Sequence, residues 1–233
     1  GPRWVNLYGA PLGVEFGANK ERMNTVPSTA STYRGRLLVS MRVEPQRYKG
    51  KRKQPVEPEI NHRKKVDFVP DALMPRSRRY CLRALVLHGS EVPKFMSIAY
   101  PGQNERMSFR VSVGPYKATT ARAKNVGGEV AWQELLELPD IELPEAEHEL
   151  PDVFLYIVRG DTGGADRSKG KNIAFARIPA RDLLHGDFHA PPRWVALQED
   201  KAIDDLKDNE VAGNVLLRLG LAPADAVPAG GPG

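Results

Sequence analysis

The residues best placed to do chemistry in this chain are cations on one short, β-type segment. In YKATTARAK (residues 116–124), Lys117, Arg122 and Lys124 recur through the segment, and Arg110 lies in the run just before it. A second group, Lys49, Lys51, Arg52, Lys53, Arg63, Lys64 and Lys65, crowds a stretch broken by Pro55, Pro58 and Pro70. Lys and Arg held near an anionic surface contribute about 1 kcal/mol each, so both groups point to phosphate-bearing or acidic partners. The opposite charge is gathered elsewhere. Glu134, Glu137, Asp140, Glu142, Glu145, Glu147, Glu149 and Asp152 follow one another with no Lys or Arg between Lys124 and Arg159. The net charge of +5 is therefore split between a basic and an acidic side, which gives the molecule a dipole.

Motifs that would signal catalysis do not hold together. GADRSKGKN (residues 164–172) has its glycines one position too far apart for a phosphate loop, and Asn172 stands where Ser or Thr would bind magnesium. His185 and His189 lie four apart in a Pro/Gly-bounded turn without a well-spaced third ligand, which argues against zinc. Arg159-Gly160-Asp161 spells an adhesion tripeptide, but the compartment argues against that use. No Ser-His-acid set, Cys–His pair or carboxylate dyad stands out, so no enzyme is expected. Cys81 is the single cysteine, which excludes a disulfide framework and fits a reducing, cytoplasmic setting. No apolar run reaches the roughly 18–20 residues that span a bilayer.

The elements that must position these cations read as strands. MSFRVSVG (residues 107–114) alternates Met107, Phe109, Val111 and Val113 with polar residues, the pattern of a half-buried strand. Val153 to Val158 is an unbroken run of β-branched, aromatic and aliphatic residues suited to a largely buried strand. Ile173, Phe175 and Ile178 form another, stopped by Pro179. RRYCLRALVLHG (78–89), VAWQELLELP (130–139), RWVAL (193–197) and GNVLLRLGL (213–221) complete the series. Strict alternation through residues 116–124 sets Lys117 with Thr119 and Ala121, and Arg122 and Lys124 on the other face with Tyr116, Ala118 and Thr120. Trp132, Phe109, Val111, Phe154, Tyr156, Ile157, Phe175, Leu216 and Leu219 are the expected core, and ARDLL (180–184) and KAIDDLKD (201–208) the expected helical turns.

The order of these pieces resembles a C2 domain, an all-β fold. Narrower islands resemble the ferlins: RWVNLYGAPLG and TYRGRLLVSM near the start, then RSRRYCLRALVLH, FRVSVGPY and PDVFLYIVRGD followed by IAFARIPARDLL. The resemblance implies that residues 1–44 are the end of one C2 domain, with 33–43 as its last strand, and that 45–75 form a basic, Pro-containing linker. Residues 76–222 would be a C2-like antiparallel β sandwich and 223–233 a flexible Pro/Gly/Ala tail. Ferlins carry a long helical insertion before the PDI-type element; ELPDIELPEAEHELPD crosses that gap directly, so nothing belonging to the insertion is carried over.

A calcium-binding C2 domain gathers carboxylates from two loops, because the ion takes six to eight oxygens. The first loop here, residues 89–106, has Glu91 and Glu105 and no Asp; the second has Asp161 and Asp166 diluted by Arg167, Lys169 and Lys171. No calcium or other cofactor is therefore expected, Asp161 and Asp166 being the only metal candidates. Phe95, Met96, Ile98 and Tyr100 in the first loop are candidates for insertion into lipid or for packing under the loop. What the resemblance implies is a non-catalytic membrane-trafficking module. It would act in vesicle docking, exocytosis and membrane fusion at the cytoplasmic face of membranes, binding anionic phospholipid without calcium or packing against neighbouring C2 domains. The alternative is a degenerate C2 scaffold whose partners are proteins only. Nucleic acid is not expected, since Tyr48 is the sole aromatic among the linker cations.

Overall fold

The computed structural model describes residues 2–12, 18–41, 71–94, 105–160, 170–184, 188–202 and 212–226. In chain order its strands and helix are β1 (Arg3–Gly9), α1 (Ala18–Thr25), β2 (Thr32–Val39), β3 (Ser77–Ser90), β4 (Arg106–Val113), β5 (Tyr116–Thr119) and β6 (Ala123–Lys124). They continue with β7 (Val130–Pro144), β8 (Val153–Gly160), β9 (Gly170–Ile178), β10 (Arg193–Ala196), β11 (Gln198–Glu199) and β12 (Asn214–Pro223). All named pairings are antiparallel. One sheet runs β10-β12-β3-β7, and the facing sheet runs β11-β9-β8-β4-β5 with β6 also on β4. The fold is thus the all-β antiparallel sandwich that the alternating strands lead one to expect.

Between the sheets lie Leu82, Ala84 and Val86 from β3, Met107, Phe109, Val111 and Val113 from β4, and Val153, Leu155 and Ile157 from β8. Trp132 closes this core at the β7 side, its indole N–H donating to the Met107 carbonyl at 3.1 Å and its ring 5.6 Å from that of Phe109. Two expected core residues come out differently. Val215, Leu217 and Leu221 hold the inward positions of β12, and Leu219, on the same alternation, is half-buried and packs against the core from its margin. Leu216 is half-buried on the other face, paired opposite the exposed Trp194. Positions 216 and 219 are three apart, a spacing that a period of two cannot place on one face. Of the expected helical turns, Ala180–Leu183 forms a short 3-10 turn, and 203–208 fall outside the described residues. The helix α1 was not expected. ANKERMNT has one apolar side chain for the interior, Met23, which is fully buried, so its sequence carries no amphipathic stripe.

Antiparallel sheets commonly pack one face and leave the other to water. Here β8 is buried on both faces, every side chain from Val153 to Val158 being 5% exposed or less. The cover on the outer side is the N-terminal segment. β1 and β2 pair as a hairpin, and Tyr8 and Tyr33 pack onto a second cluster of Phe154, Tyr156, Val158 and Phe175. Polar contacts fix this third layer in place. Tyr156 donates to the Ser31 carbonyl at 2.7 Å, the Asp152 N–H donates to Tyr8 Oη at 3.0 Å, and Asn6 Nδ2 donates to the carbonyls of Glu149 and Leu150 at 3.0 Å each. Arg177 clamps it further: its guanidinium carbon lies 3.8 Å from the Tyr8 ring centroid, Nε donates to Asp152 Oδ2 at 2.6 Å, and Nη1 donates to the Pro27 carbonyl at 3.1 Å. Among the described residues no helix is long and apolar enough to cross a membrane.

Two outcomes follow from the third layer. Phe154 would sit on an exposed face without it, where truncation costs little; buried as it is, Phe154→Ala is expected to lower the unfolding free energy by about 3–5 kcal/mol in denaturant titration. Asp200 lies at the junction, 1% exposed, its Oδ1 accepting from Ser31 Oγ at 3.0 Å and the Ala202 N–H at 3.1 Å. Burial raises its carboxyl above the usual range even though those two bonds pull the other way. The folded state then holds the proton to higher pH than the unfolded chain does. This group's contribution to stability falls as pH climbs from the unfolded to the folded pKa. Asp200→Asn is expected to remove that descending component from a series of melting curves across the acid range.

Candidate anion-binding face

The geometry that gathers the cations begins at a two-residue turn. Gly114 adopts φ +55° before Pro115, the conformation that a primed hairpin turn needs at its first central position, and Val113 is thereby set opposite Tyr116. That register places Lys117 opposite Ser112 and Thr119 opposite Arg110. Side chains directly opposed across an antiparallel pair share a face, so Lys117 and Thr119 stand with Arg110. The strand then breaks. Thr120, fully buried, donates its N–H to the Phe109 carbonyl at 2.8 Å, and its Oγ1 accepts the Phe109 N–H at 2.9 Å while donating to the Ala121 carbonyl at 2.9 Å. The side-chain oxygen takes the place of a ladder carbonyl. Pairing resumes with Lys124 opposite Arg106 and Ala123 opposite Met107.

This break corrects the alternation read from residues 116–124. Lys117 and Lys124, assigned to opposite faces by strict period two, share the outward face with Arg106 and Arg110 because residues 120–122 lie outside the ladder. Arg106 is an addition. The step Arg106, Ser108, Arg110 along an alternating strand was a usable signal for it. Arg122 lies half-buried against Gly160, where an added Cβ would come 3.0 Å from its Nε. Glycine at 160 gives that guanidinium the room to lie across the end of β8.

Within the strip the cations differ in setting. Lys117, Lys124 and Arg106 are exposed and ion-pair with none of the described residues. Arg110 is half-buried, its Nε donating to Thr119 Oγ1 and its Nη1 to Asn172 Oδ1, both at 3.3 Å. Burial pulls its guanidinium down from the usual range, with Tyr156 acting weakly in the other direction. Tyr156, opposite Arg110, has its phenol pushed up to about 12 by burial and stays a neutral donor. The carboxylates next to β4 in the sheet are taken up internally: Asp152 with Arg177 and Glu105 with Arg159. Glu134 Oε2 accepts the Ala121 N–H at 2.7 Å. An outward positive excess remains, able to hold phosphate oxygens or carboxylates by charge and hydrogen bonding.

The other sequence candidates divide. Lys49, Lys51, Arg52, Lys53, Arg63, Lys64 and Lys65 lie outside the described residues, as do Asp161 and Asp166 and the apolar tip residues Phe95, Met96, Ile98 and Tyr100. Of the first-loop acids, Glu91 accepts from Asn214 Nδ2 at 2.8 Å, and Glu105 is the partner of Arg159.

No family model matches the chain, and no curated protein does. Among solved structures it is similar to a C2 domain of a plant extended synaptotagmin 1, at 8% identity and TM-score 0.43, covering 64% of this chain and 98% of that one. A calcium-bound structure of two C2 domains of extended synaptotagmin 2 shares 14% identity at TM-score 0.43, over 64% and 47%. Human GIVD cytosolic phospholipase A2 shares 8% at TM-score 0.41, over 64% of this chain and 18% of that. The fold class stands on the chain's own strand pairing.

The strip depends on Thr120. Thr120→Val keeps the shape but leaves the buried Phe109 N–H without its acceptor, a change expected to cost about 1–3 kcal/mol. Thr120→Ser, which retains the oxygen, should recover most of that loss in the same urea titration.

Proposed function

We propose that this chain is a non-catalytic, C2-like module of the ferlin type that holds an anionic phospholipid surface without calcium, at the cytoplasmic face of membranes engaged in vesicle docking and fusion. The observation that carries this reading is the strand break at Thr120, which lines up Lys117 and Lys124 with Arg106 and Arg110 on one outward face. Arg122 flanks them at the end of β8. A cationic strip of this kind needs no metal, because the lipid headgroups supply the negative charge that calcium-dependent sites must recruit through carboxylates. The linker cations Lys49, Lys51, Arg52, Lys53, Arg63, Lys64 and Lys65 add long-range attraction to the same surface. Neighbouring C2-like domains and protein partners complete the proposed set of contacts.

The protein-only scaffold has less behind it. It relies on residues 134–152 meeting a basic partner, yet several of those carboxylates are already engaged. Glu137 pairs with Arg83 at 2.7 Å, Glu142 accepts from the Ser77 hydroxyl, and Asp152 is held by Arg177.

Co-sedimentation with phosphatidylserine-containing vesicles tests the proposal. Retention is expected to be the same with calcium and with chelator, and to weaken as salt shortens the screening length to about 10 Å at 0.1 M and less above it. Replacing Lys117, Arg122 and Lys124 together by Glu should weaken vesicle affinity at least about tenfold, each cation counting for about 1 kcal/mol. If the triple variant and the matching reversal of Lys51, Arg52 and Lys53 both bind like the parent, or the parent is not retained at low salt, the scaffold reading replaces this one.

A further inference from the structure

The N-terminal hairpin is patterned the wrong way round for a layer that ends in water. Its inward face carries Trp4, Asn6, Tyr8 and Tyr33, whose contacts run to the sandwich or to the residues beside it. The outward face is apolar: Val5, paired with Leu37, and Leu7, paired with Gly35, are 46%, 52% and 42% exposed in the order Val5, Leu37, Leu7. Strands covering a core normally show the reverse alternation, polar outward. Three large aliphatic side chains adjoining on a two-stranded surface form a patch rather than scattered singles, and such patches mark interaction sites.

Three further facts select the partner. β1 and β2 contain no acid; their charges are Arg3, Arg34 and Arg36. Arg3 shares the outward face, standing opposite Val39 and two residues from Val5. The hairpin also lies on the outer side of the very sheet whose other half bears Arg106, Arg110, Lys117 and Lys124, so its outward face points the same way as that strip. A flat surface that offers apolar side chains with Arg3 at its edge, beside a cationic strip, is complementary to the boundary between anionic headgroups and acyl chains.

We propose that Val5, Leu7 and Leu37 seat in the headgroup layer of an anionic bilayer while Arg3 and the cationic strip hold its phosphates. The inference rests on the phospholipid reading above and goes beyond it by naming the element that enters the lipid and the orientation of the whole sandwich. The opposite sheet, with Trp194 exposed on β10, would then face away from the membrane.

The test uses the whole chain in a Cys81→Ser background, with an environment-sensitive fluorophore on Leu37→Cys and, separately, on Trp194→Cys. With phosphatidylserine-containing vesicles, the label at 37 should shift to the blue and be quenched by lipids carrying a headgroup-depth quencher, and the label at 194 should do neither. Replacing Val5, Leu7 and Leu37 together by Ser should weaken vesicle affinity at least about tenfold, with the salt dependence of the remaining binding retained. If the vesicles retain the protein but the label at 37 stays aqueous, or the label at 194 responds instead, the inference is overturned and the strip reading stands. No retention at all overturns both. A blue shift at 37 without vesicles that grows with protein concentration overturns it too, and identifies the face as a contact between copies of the chain.

Discussion

Everything in this molecule turns on the double burial of β8. A two-layer sandwich would leave Phe154, Tyr156 and Val158 facing water; here the aromatic rings of Tyr8 and Tyr33 and the guanidinium of Arg177 cover them. The rings meet at centroid separations of 5.8 Å for Tyr8 with Phe154 and with Tyr33, within the range where tilted and edge-on pairs attract. That contact decides what the outer face can do. The half over β8 and β9 is occupied, so the half over β4, β5 and β6 is what remains for a ligand, and the cations are found there.

A local constraint then gives that remaining half its charge. Gly114 fixes the register of β5 on β4, and Thr120 substitutes its hydroxyl for a ladder carbonyl, so two lysines that period-two alternation separates come to the same side. Fold and site are linked through one atom, Thr120 Oγ1. Arg110 ties the strip to the covered half, because it stands opposite Tyr156, whose hydroxyl reaches the Ser31 carbonyl of the N-terminal segment.

Much of the sandwich was legible from residue types. The alternation Met107, Phe109, Val111, Val113 gave the inward face of β4, and the unbroken apolar run of β8 signalled a largely buried strand. Illegible were the features set by contacts distant in sequence or by a single irregular residue. Leu216 was misplaced because it adjoins Leu217, and two neighbouring leucines give composition no means of saying which one faces inward; the pairing with β3 and β10 decides it. Thr120 looked like any β-branched strand residue, and its role appears only when Phe109 is beside it. The docking of the hairpin rests on pairs such as Ser31 with Asp200 and Asn6 with Leu150, far apart in the chain, which no local pattern announces.

The hairpin is an integral third layer and not an appendage resting on the sheet. Hydrogen exchange read by mass spectrometry on peptides covering β1, β2 and β8 tests it most directly, since elements that unfold as one cooperative unit exchange with a common free energy. Amides of Arg3–Gly9 and Thr32–Val39 are expected to be protected to a depth comparable with Val153–Val158 and to lose protection together with them as denaturant is raised. Rapid exchange across both hairpin strands under conditions where β8 stays fully protected would contradict it.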